Sequence, residues 1–462
     1  MQYKLQNAIG ALAVNLSFAR QLATVVFWIL CGLVVFLPPR WATLAYLMLA
    51  QVDITGPDFE SASMVGFANI IKIVVLPTLL YLRVRKTPSH EAQQPAFFKI
   101  WLLFVGYVAI ASVWTQFHLQ AFKMVGFLYA YTLLFLIFVR GWEAGWLNGK
   151  SFTRVAWVTI IVGTIQTYML GDAFGSPGDE YSKLFTTFTG AQALAPFLLA
   201  LLIFVYIYEE RRFWKIITCM GLFVAIVLDG SRYVLGATAL GFFIMVAGHL
   251  IIKRNKHVFR IVTATLLCTV LLGGVTLWAV IKYFPRSRIN EVSEAVASPG
   301  GGGVEDVADF AWRLLMYQEV IHDLQNRKLG LLLVGSGTSS ATVVRSRLDY
   351  WHDQDVSDAN RVVHNEFLRS LYEWGFCGFT LLTVFVVAIF KNSLKIFFRT
   401  RSPGALACLA FFPALLFGLS IENVLVGSGA PDGVGYALIA SCLAISQIGP
   451  QEETQRGETI SA

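Results

Sequence analysis

Apolar residues gather along the chain into thirteen runs, at residues 22–37, 41–52, 64–82, 97–115, 122–139, 154–170, 185–208, 214–228, 233–252, 261–281, 367–390, 404–419 and 433–448. Their lengths scatter around the ~20 residues that a helix needs to cross a bilayer. No soluble domain of ordinary size remains between them. The pattern predicts an all-α polytopic membrane protein. Two full spans at residues 22–37 and 41–52 would place Met1 on the external side despite Lys4 and Arg20. Reading one of them as re-entrant or kinked at Pro38-Pro39 gives about twelve transmembrane helices with both ends on one side.

The pattern changes in one long polar interval, residues 283–362, which divides the chain into membrane helices (1–282), a large loop (283–362), carboxyl-terminal membrane helices (363–448) and a polar tail (449–462). Within the interval, Phe310, Leu314, Tyr317, Ile321 and Leu324 recur at steps of three and four, which predicts an amphipathic helix with one apolar stripe. Glu305, Asp306 and Asp309 open that helix, and Arg327-Lys328 close it before Gly330, each charge suited to its end of the helix dipole. Such a helix is expected to lie on the membrane surface and cap a cavity. The glycine-rich stretch from Ser298 to Gly303 lacks the Lys-Ser/Thr ending of a P-loop and reads as a linker.

Composition agrees: 56% of residues are hydrophobic, 14% are charged and mean hydropathy is +0.62. The net charge of +7 is read as orientation rather than nucleic-acid binding, because lysine and arginine are retained on the cytoplasmic side. The clusters at Arg83–Lys86, Arg211–Lys215, Lys253–Arg260 and Lys391–Arg401 all fall on one face if each intervening run crosses once. The large loop, with eight basic and eleven acidic residues, then falls on the external face. The six cysteines sit in apolar runs and read as small buried hydrophobes. The first apolar run has no small-residue cleavage site and reads as an anchor.

Seven of the eight basic residues in the loop are arginines (Arg286, Arg288, Arg313, Arg327, Arg345, Arg347, Arg361), a bias suited to forked recognition of phosphate oxygens. Arg232, after Asp229-Gly230-Ser231 at an external boundary, must either snorkel to water or pair with an anion. Arg313 has two readings, an ion pair with Asp309 one turn earlier or a ligand for phosphate. His364 stands where the chain re-enters the membrane. It is expected on one helical face with Arg361 and Leu368, placed either to cap or to take a proton from a hydroxyl. Arg369 and Glu373, four residues apart, are expected to neutralise each other. Two further stretches look like chemistry and are set aside: Asp353-Gln354-Asp355 as an acidic loop, and Gly335-Ser336-Gly337-Thr338-Ser339-Ser340 because no strand and no GxGxxG pattern support a dinucleotide site.

Four stretches together resemble the bacterial O-antigen ligase and polysaccharide polymerase superfamily. They are Thr186 to Ala195, Gly230-Ser231-Arg232, Phe310 to Arg313 leading into Gly335-Ser336-Gly337, and His364-Asn365-Glu366-Phe367-Leu368 with Glu373, Gly375 and Gly378. The sequence departs from the family pattern at Ala191, Gln192 and Val363. The resemblance implies about twelve membrane helices with a large periplasmic loop over the active site, in the bacterial inner membrane. It implies transfer of glycan from undecaprenyl diphosphate to a hydroxyl acceptor, with inversion and with no metal or other cofactor. Arg232 and Arg313 would hold the diphosphate and His364 would be the general base or a group that orients the acceptor, with Ser231, Arg288, Arg361, Asn365 and Glu366 as supporting candidates. The partners implied are the lipid-linked donor, a glycan or lipid A core hydroxyl, the bilayer and a candidate chain-length regulator. The expected activity is polymerisation of lipid-linked repeat units of a surface or secreted polysaccharide. O-antigen ligation is the near alternative, and a lipid-linked glycan transporter or flippase, for which no internal repeat speaks, is the alternative of another class.

Overall fold

The computed structural model describes residues 21–52, 68, 70–86, 95–170, 191–253, 304–346, 363–421 and 430–446. These residues form α1 (Gln21–Phe36), α2 (Pro39–Leu49), α3 (Leu76–Val84) behind a π-helical turn at Ile71–Val75, α4 (Ala96–Ala111), α5 (His118–Glu143), α6 (Gly149–Leu170), α7 (Ala191–Tyr208), α8 (Arg212–Asp229) and α9 (Arg232–Lys253). Then come α10 (Val304–Gln325), α11 (Leu329–Val334), α12 (Thr342–Ser346), α13 (Glu366–Thr400), α14 (Pro403–Ile421) and α15 (Ala430–Ile445). Among the described residues there is no strand. Among the described residues four helices are long and apolar enough to cross a membrane, within α5, α9, α13 and α14, and shorter apolar helices lie within α1, α4, α7 and α15. The run at 261–281 lies outside the described residues. One large apolar core joins the helices from α1 to α9 with α13 to α15.

Proline sets where several helices begin, because its missing N–H costs nothing in a first turn. Pro39 opens α2, Pro95 precedes α4 and Pro403 opens α14. At Pro38-Pro39 the chain breaks fully. α2 is then only 11 residues long, about 17 Å, short of a ~30 Å hydrocarbon core. The carbonyls freed at that break are met by Arg83, which donates to Val34 at 2.7 Å, to Val35 at 2.8 Å and to Leu37.

α13 is two helices joined at Gly375, whose φ of 60° and ψ of −166° lie in a region that only glycine occupies freely. The break strands the carbonyls of Tyr372, Glu373 and Trp374 in a buried place, where an unpaired backbone group is costly. Ser336 N–H reaches Tyr372 O at 3.2 Å, Gly337 N–H reaches Glu373 O at 2.8 Å, and the Tyr107 hydroxyl of α4 reaches Trp374 O at 3.2 Å. The turn after α11 thus fits into the broken helix. Gly335 there also takes a glycine-only conformation, with φ 80° and ψ 176°.

α10 has the expected length, but its buried face differs from the expected stripe. Met316, Val320 and Leu324 are buried with Ala341, Val344, Val363 and Tyr372 in a small second core, whereas Leu314, Leu315 and Ile321 are exposed. The physical reason is that Arg313, Tyr317 and Arg327 hydrogen-bond to neighbouring elements and so fix which face turns inward. Of the described cysteines, Cys31, Cys408 and Cys442 are buried as expected and Cys219 is half-buried, whereas Cys377 in α13 is exposed. Cys268 lies outside the described residues.

A Cβ on Gly335 would stand 2.2 Å from Glu373 O, and one on Gly375 would stand 2.4 Å from Leu333 O, both backbone atoms with no room to yield. Gly335→Ala and Gly375→Ala should each cost at least about 2 kcal/mol. Gly330→Ala, inside α11 with open space around it, should be neutral or slightly stabilising. Thermal unfolding of the detergent-solubilised proteins checks the contrast, and equal effects at all three positions would contradict it.

Candidate functional site

The chain reaches α13 through Val363, which is fully buried, and His364, which takes a left-handed φ of 48°. Asn365 is extended and is the N-cap of α13, its side-chain oxygen accepting from Leu368 N–H at 3.0 Å. His364 therefore stands before the helix and does not share a helical face with Leu368, contrary to the expectation from spacing. Capping falls to Asn365, because an extended N-cap leaves the residue before it off the helix path. The left-handed backbone of His364 is held from above. The Tyr317 hydroxyl of α10 donates to the His364 carbonyl at 2.7 Å.

Arg313 lies one turn before Tyr317 on α10. Its Nη1 donates to the carbonyl of Ile421 at 2.8 Å, where α14 ends. A guanidinium suits a helix carboxyl terminus, where the dipole is negative. The side chain of Asp309 lies outside the described residues. α10 is further tied to α13 by Tyr372, whose hydroxyl donates to Asp323 at 2.9 Å, and by Arg327, which donates to Tyr372 O at 2.8 Å and stacks 3.5 Å from the Tyr372 ring centre.

The other predicted arginine sits at the first residue of α9. Asp229 ends α8, Gly230 turns the chain with a φ of 75°, Ser231 is buried in the turn, and Arg232 opens α9; the side chain of Arg232 lies outside the described residues. α9 runs antiparallel to α14. Gly248 faces Leu406, Gly241 faces the Ala410 carbonyl, and Gly236 faces Phe417. Continued by one turn, that register sets the start of α9 beside Ile421, the residue that Arg313 grips. The backbones of Arg232 and Arg313 thus converge on the end of α14. Arg345 lies in α12, with its side chain outside the described residues, and Arg286, Arg288, Arg347, Arg361 and Asp353 to Asp355 lie outside them altogether.

Arg369 and Glu373 pair as expected, Nε to Oε1 at 3.1 Å, and both are buried. Glu366, also buried, stands 3.8 Å from the same guanidinium. Spacing did not disclose that Glu373 also accepts from Ser339 N–H at 2.8 Å and Ala341 N–H at 3.4 Å. The amides of the glycine-rich turn are thereby committed. Ser336 bonds to Tyr372, Gly337 to Glu373 O, Thr338 to Ala111 O, and Ser340 to Gly337 O. A turn that looked like a phosphate cradle holds a carboxylate of its own chain. Sequence reading also missed Tyr107 and Thr338 as anchors, since their partners lie more than two hundred residues away.

Residues 217–383 match a family model described as O-antigen ligase. This stretch is therefore similar to an O-antigen ligase domain, which supports the resemblance to the O-antigen ligase and polymerase superfamily. The domain is about a third of the chain, and it contains Ser231, Arg232, Arg313, the turn at Gly335–Gly337, and His364 through Gly378. The stretch from Thr186 to Ala195 falls outside it. No curated protein matches the chain. Members of the O-antigen ligase family are glycosyltransferase-like enzymes of ligase or polymerase type that act on lipid-linked glycan in a membrane.

Removing the Tyr317 hydroxyl leaves the ring to pack but takes away its hydrogen bond to the His364 carbonyl. Tyr317→Phe should lower stability by roughly 1–2 kcal/mol. Leu315→Ala on the exposed face should stay within about 0.5 kcal/mol of the parent. Denaturant titration of the purified proteins distinguishes these outcomes.

Proposed function

We propose that this protein is an inner-membrane glycosyltransferase that polymerises undecaprenyl-diphosphate-linked repeat units on the periplasmic face. The observation that carries the reading is the meeting of three elements at one end of the bundle. The start of α9 with Arg232 and the Arg313 turn of α10 flank the end of α14, and Tyr317, ~6 Å along α10 from Arg313, touches His364. The family match supports ligase- or polymerase-type chemistry in general.

In this reading the acceptor hydroxyl oxygen attacks the anomeric carbon of the donor as the bond from that carbon to the diphosphate oxygen breaks. The hydroxyl proton passes to the His364 imidazole, and the electron pair leaves with undecaprenyl diphosphate. Charge grows on the leaving group, and fixed guanidinium groups stabilise it without having to reorganise. Attack opposite the leaving group inverts the anomeric centre. Asn365 and Glu366 hold the turn that carries His364, and Ser231 lies beside Arg232. Arg288 and Arg361 remain candidates to join them. A chain-length regulator is a further candidate partner.

Ligation to a lipid A core is the second reading, favoured by the description of the matched family. A deletion strain decides between them. Single repeat units still attached to the surface, with the polymer lost, indicate a polymerase. Loss of all attachment, with polymer accumulating on its carrier, indicates a ligase.

Within the site, His364→Ala should lower transfer by about 10²- to 10⁴-fold, the usual contribution of a positioned acid or base. Arg232→Lys should also impair transfer, because lysine keeps the charge and loses the fork. The assay is release of undecaprenyl diphosphate by purified protein from lipid-linked glycan. Full polymer formation by folded His364→Ala and Arg313→Ala proteins would overturn the site assignment, and relocation of donor without bond breakage would make the protein a transporter.

A further inference from the structure

We propose that Glu373 is a positioning residue for the transfer, an inference that rests on the polymerase reading above: its carboxylate fills the amide turn at 338–341 and binds that turn to the helix that His364 leads into. Three donors converge on it, Ser339 N–H at 2.8 Å, Ala341 N–H at 3.4 Å and Arg369 Nε at 3.1 Å, and the side chain is only 1% exposed. The turn needs such a partner. Gly335 and Gly337 have φ of 80° and 97°, and Ser339, which carries a side chain, has a φ of 67°. Successive amides turned inward make a concavity that suits an anion. Here the anion is internal.

The array continues toward the site. Arg369 is 2% exposed, and its Nη1 has no hydrogen-bond partner among the described residues, standing 3.8 Å from Glu366 Oε2, while Nη2 meets the Met124 sulfur at 3.2 Å. Two buried carboxylates thus share one guanidinium, and each has a second source of positive potential. Glu373 has the turn amides, and Glu366 has the first turn of α13, where the helix dipole is positive. Glu366 is two residues past His364. The chain from Glu373 through Arg369 to Glu366 links the turn after α11 to the position of the imidazole. A buried array of this kind is costly to desolvate and gives stability poorly, so its use lies in fixing geometry.

The test uses the full chain, with donor extracted from a strain deleted for this protein and with undecaprenyl diphosphate release as the readout. Glu373→Asp keeps the charge but withdraws it by one methylene, and Glu373→Gln keeps the size but turns a donor toward the turn amides. The Asp protein should lose about 10- to 10²-fold in kcat, a cost typical of a displacement of about 1 Å. Its KM for donor should stay within about threefold, and the Gln protein should lose more. Wild-type kcat in both variants would overturn the inference while leaving the proposed function intact. Amide hydrogen exchange on the same proteins is independent of activity. Faster exchange confined to residues 336–342 and 365–370 in the Gln protein is expected, and unchanged exchange there overturns the clamp even if the wild-type protein releases no undecaprenyl diphosphate and the transfer reading itself fails.

Discussion

A helix broken where water is excluded must find new donors for its stranded carbonyls, and in this protein that requirement falls at Gly375. Tyr372, Glu373 and Trp374 each lose the partner that a continuous α13 would supply. Their oxygens are met by Ser336, Gly337 and Tyr107, so the turn after α11 and the side of α4 are held where they are by backbone chemistry. Trp374 adds its indole N–H to Thr338, whose hydroxyl in turn donates to Val108. The small core of α10 and α12 is built on this joint. Without the break, the turn at 335–341 would have no seat and α10 would have nothing to lie against.

Much of this architecture was legible because it depends on near neighbours in the chain. The apolar runs, the Pro38-Pro39 break, the Arg369–Glu373 pair and the extent of α10 all follow from local period or local chemistry. The inward face of α10 did not follow. A stripe argument assumes that apolar side chains have only one place to go, yet Leu314, Leu315 and Ile321 are exposed on a protein rich in apolar surface. In such surroundings hydrophobicity no longer separates inside from outside. The polar groups decide instead, and Tyr317 and Arg313 turn the helix by what they bond.

The candidate site shows the same division. His364, Arg232 and Arg313 could be singled out by residue type, but their convergence depends on two facts that no local pattern carries, the antiparallel register of α9 on α14 and the grip of Arg313 on Ile421. Spacing also misplaced His364 on a helical face, because it is Asn365 that begins the helix. The resemblance supplied the residues proposed to carry chemistry. The helix register and the Asn365 cap give them positions.

Two buried carboxylates close to a site proposed to bind diphosphate would be expected to repel it. Their surroundings remove much of that field before it reaches the surface. Arg369 lies between Glu366 and Glu373, the amides of Ser339 and Ala341 point at Glu373, and Glu366 sits on a helix amino terminus. Charges compensated at such short range project little potential outward, even where the dielectric is low. Arg313 donates to the carbonyl that ends α14, so its guanidinium stands at the negative end of that helix dipole. An anion bound at the proposed site would meet carboxylates whose field is largely cancelled at source, which is how a rigid buried ionic array can lie close to a site proposed for diphosphate.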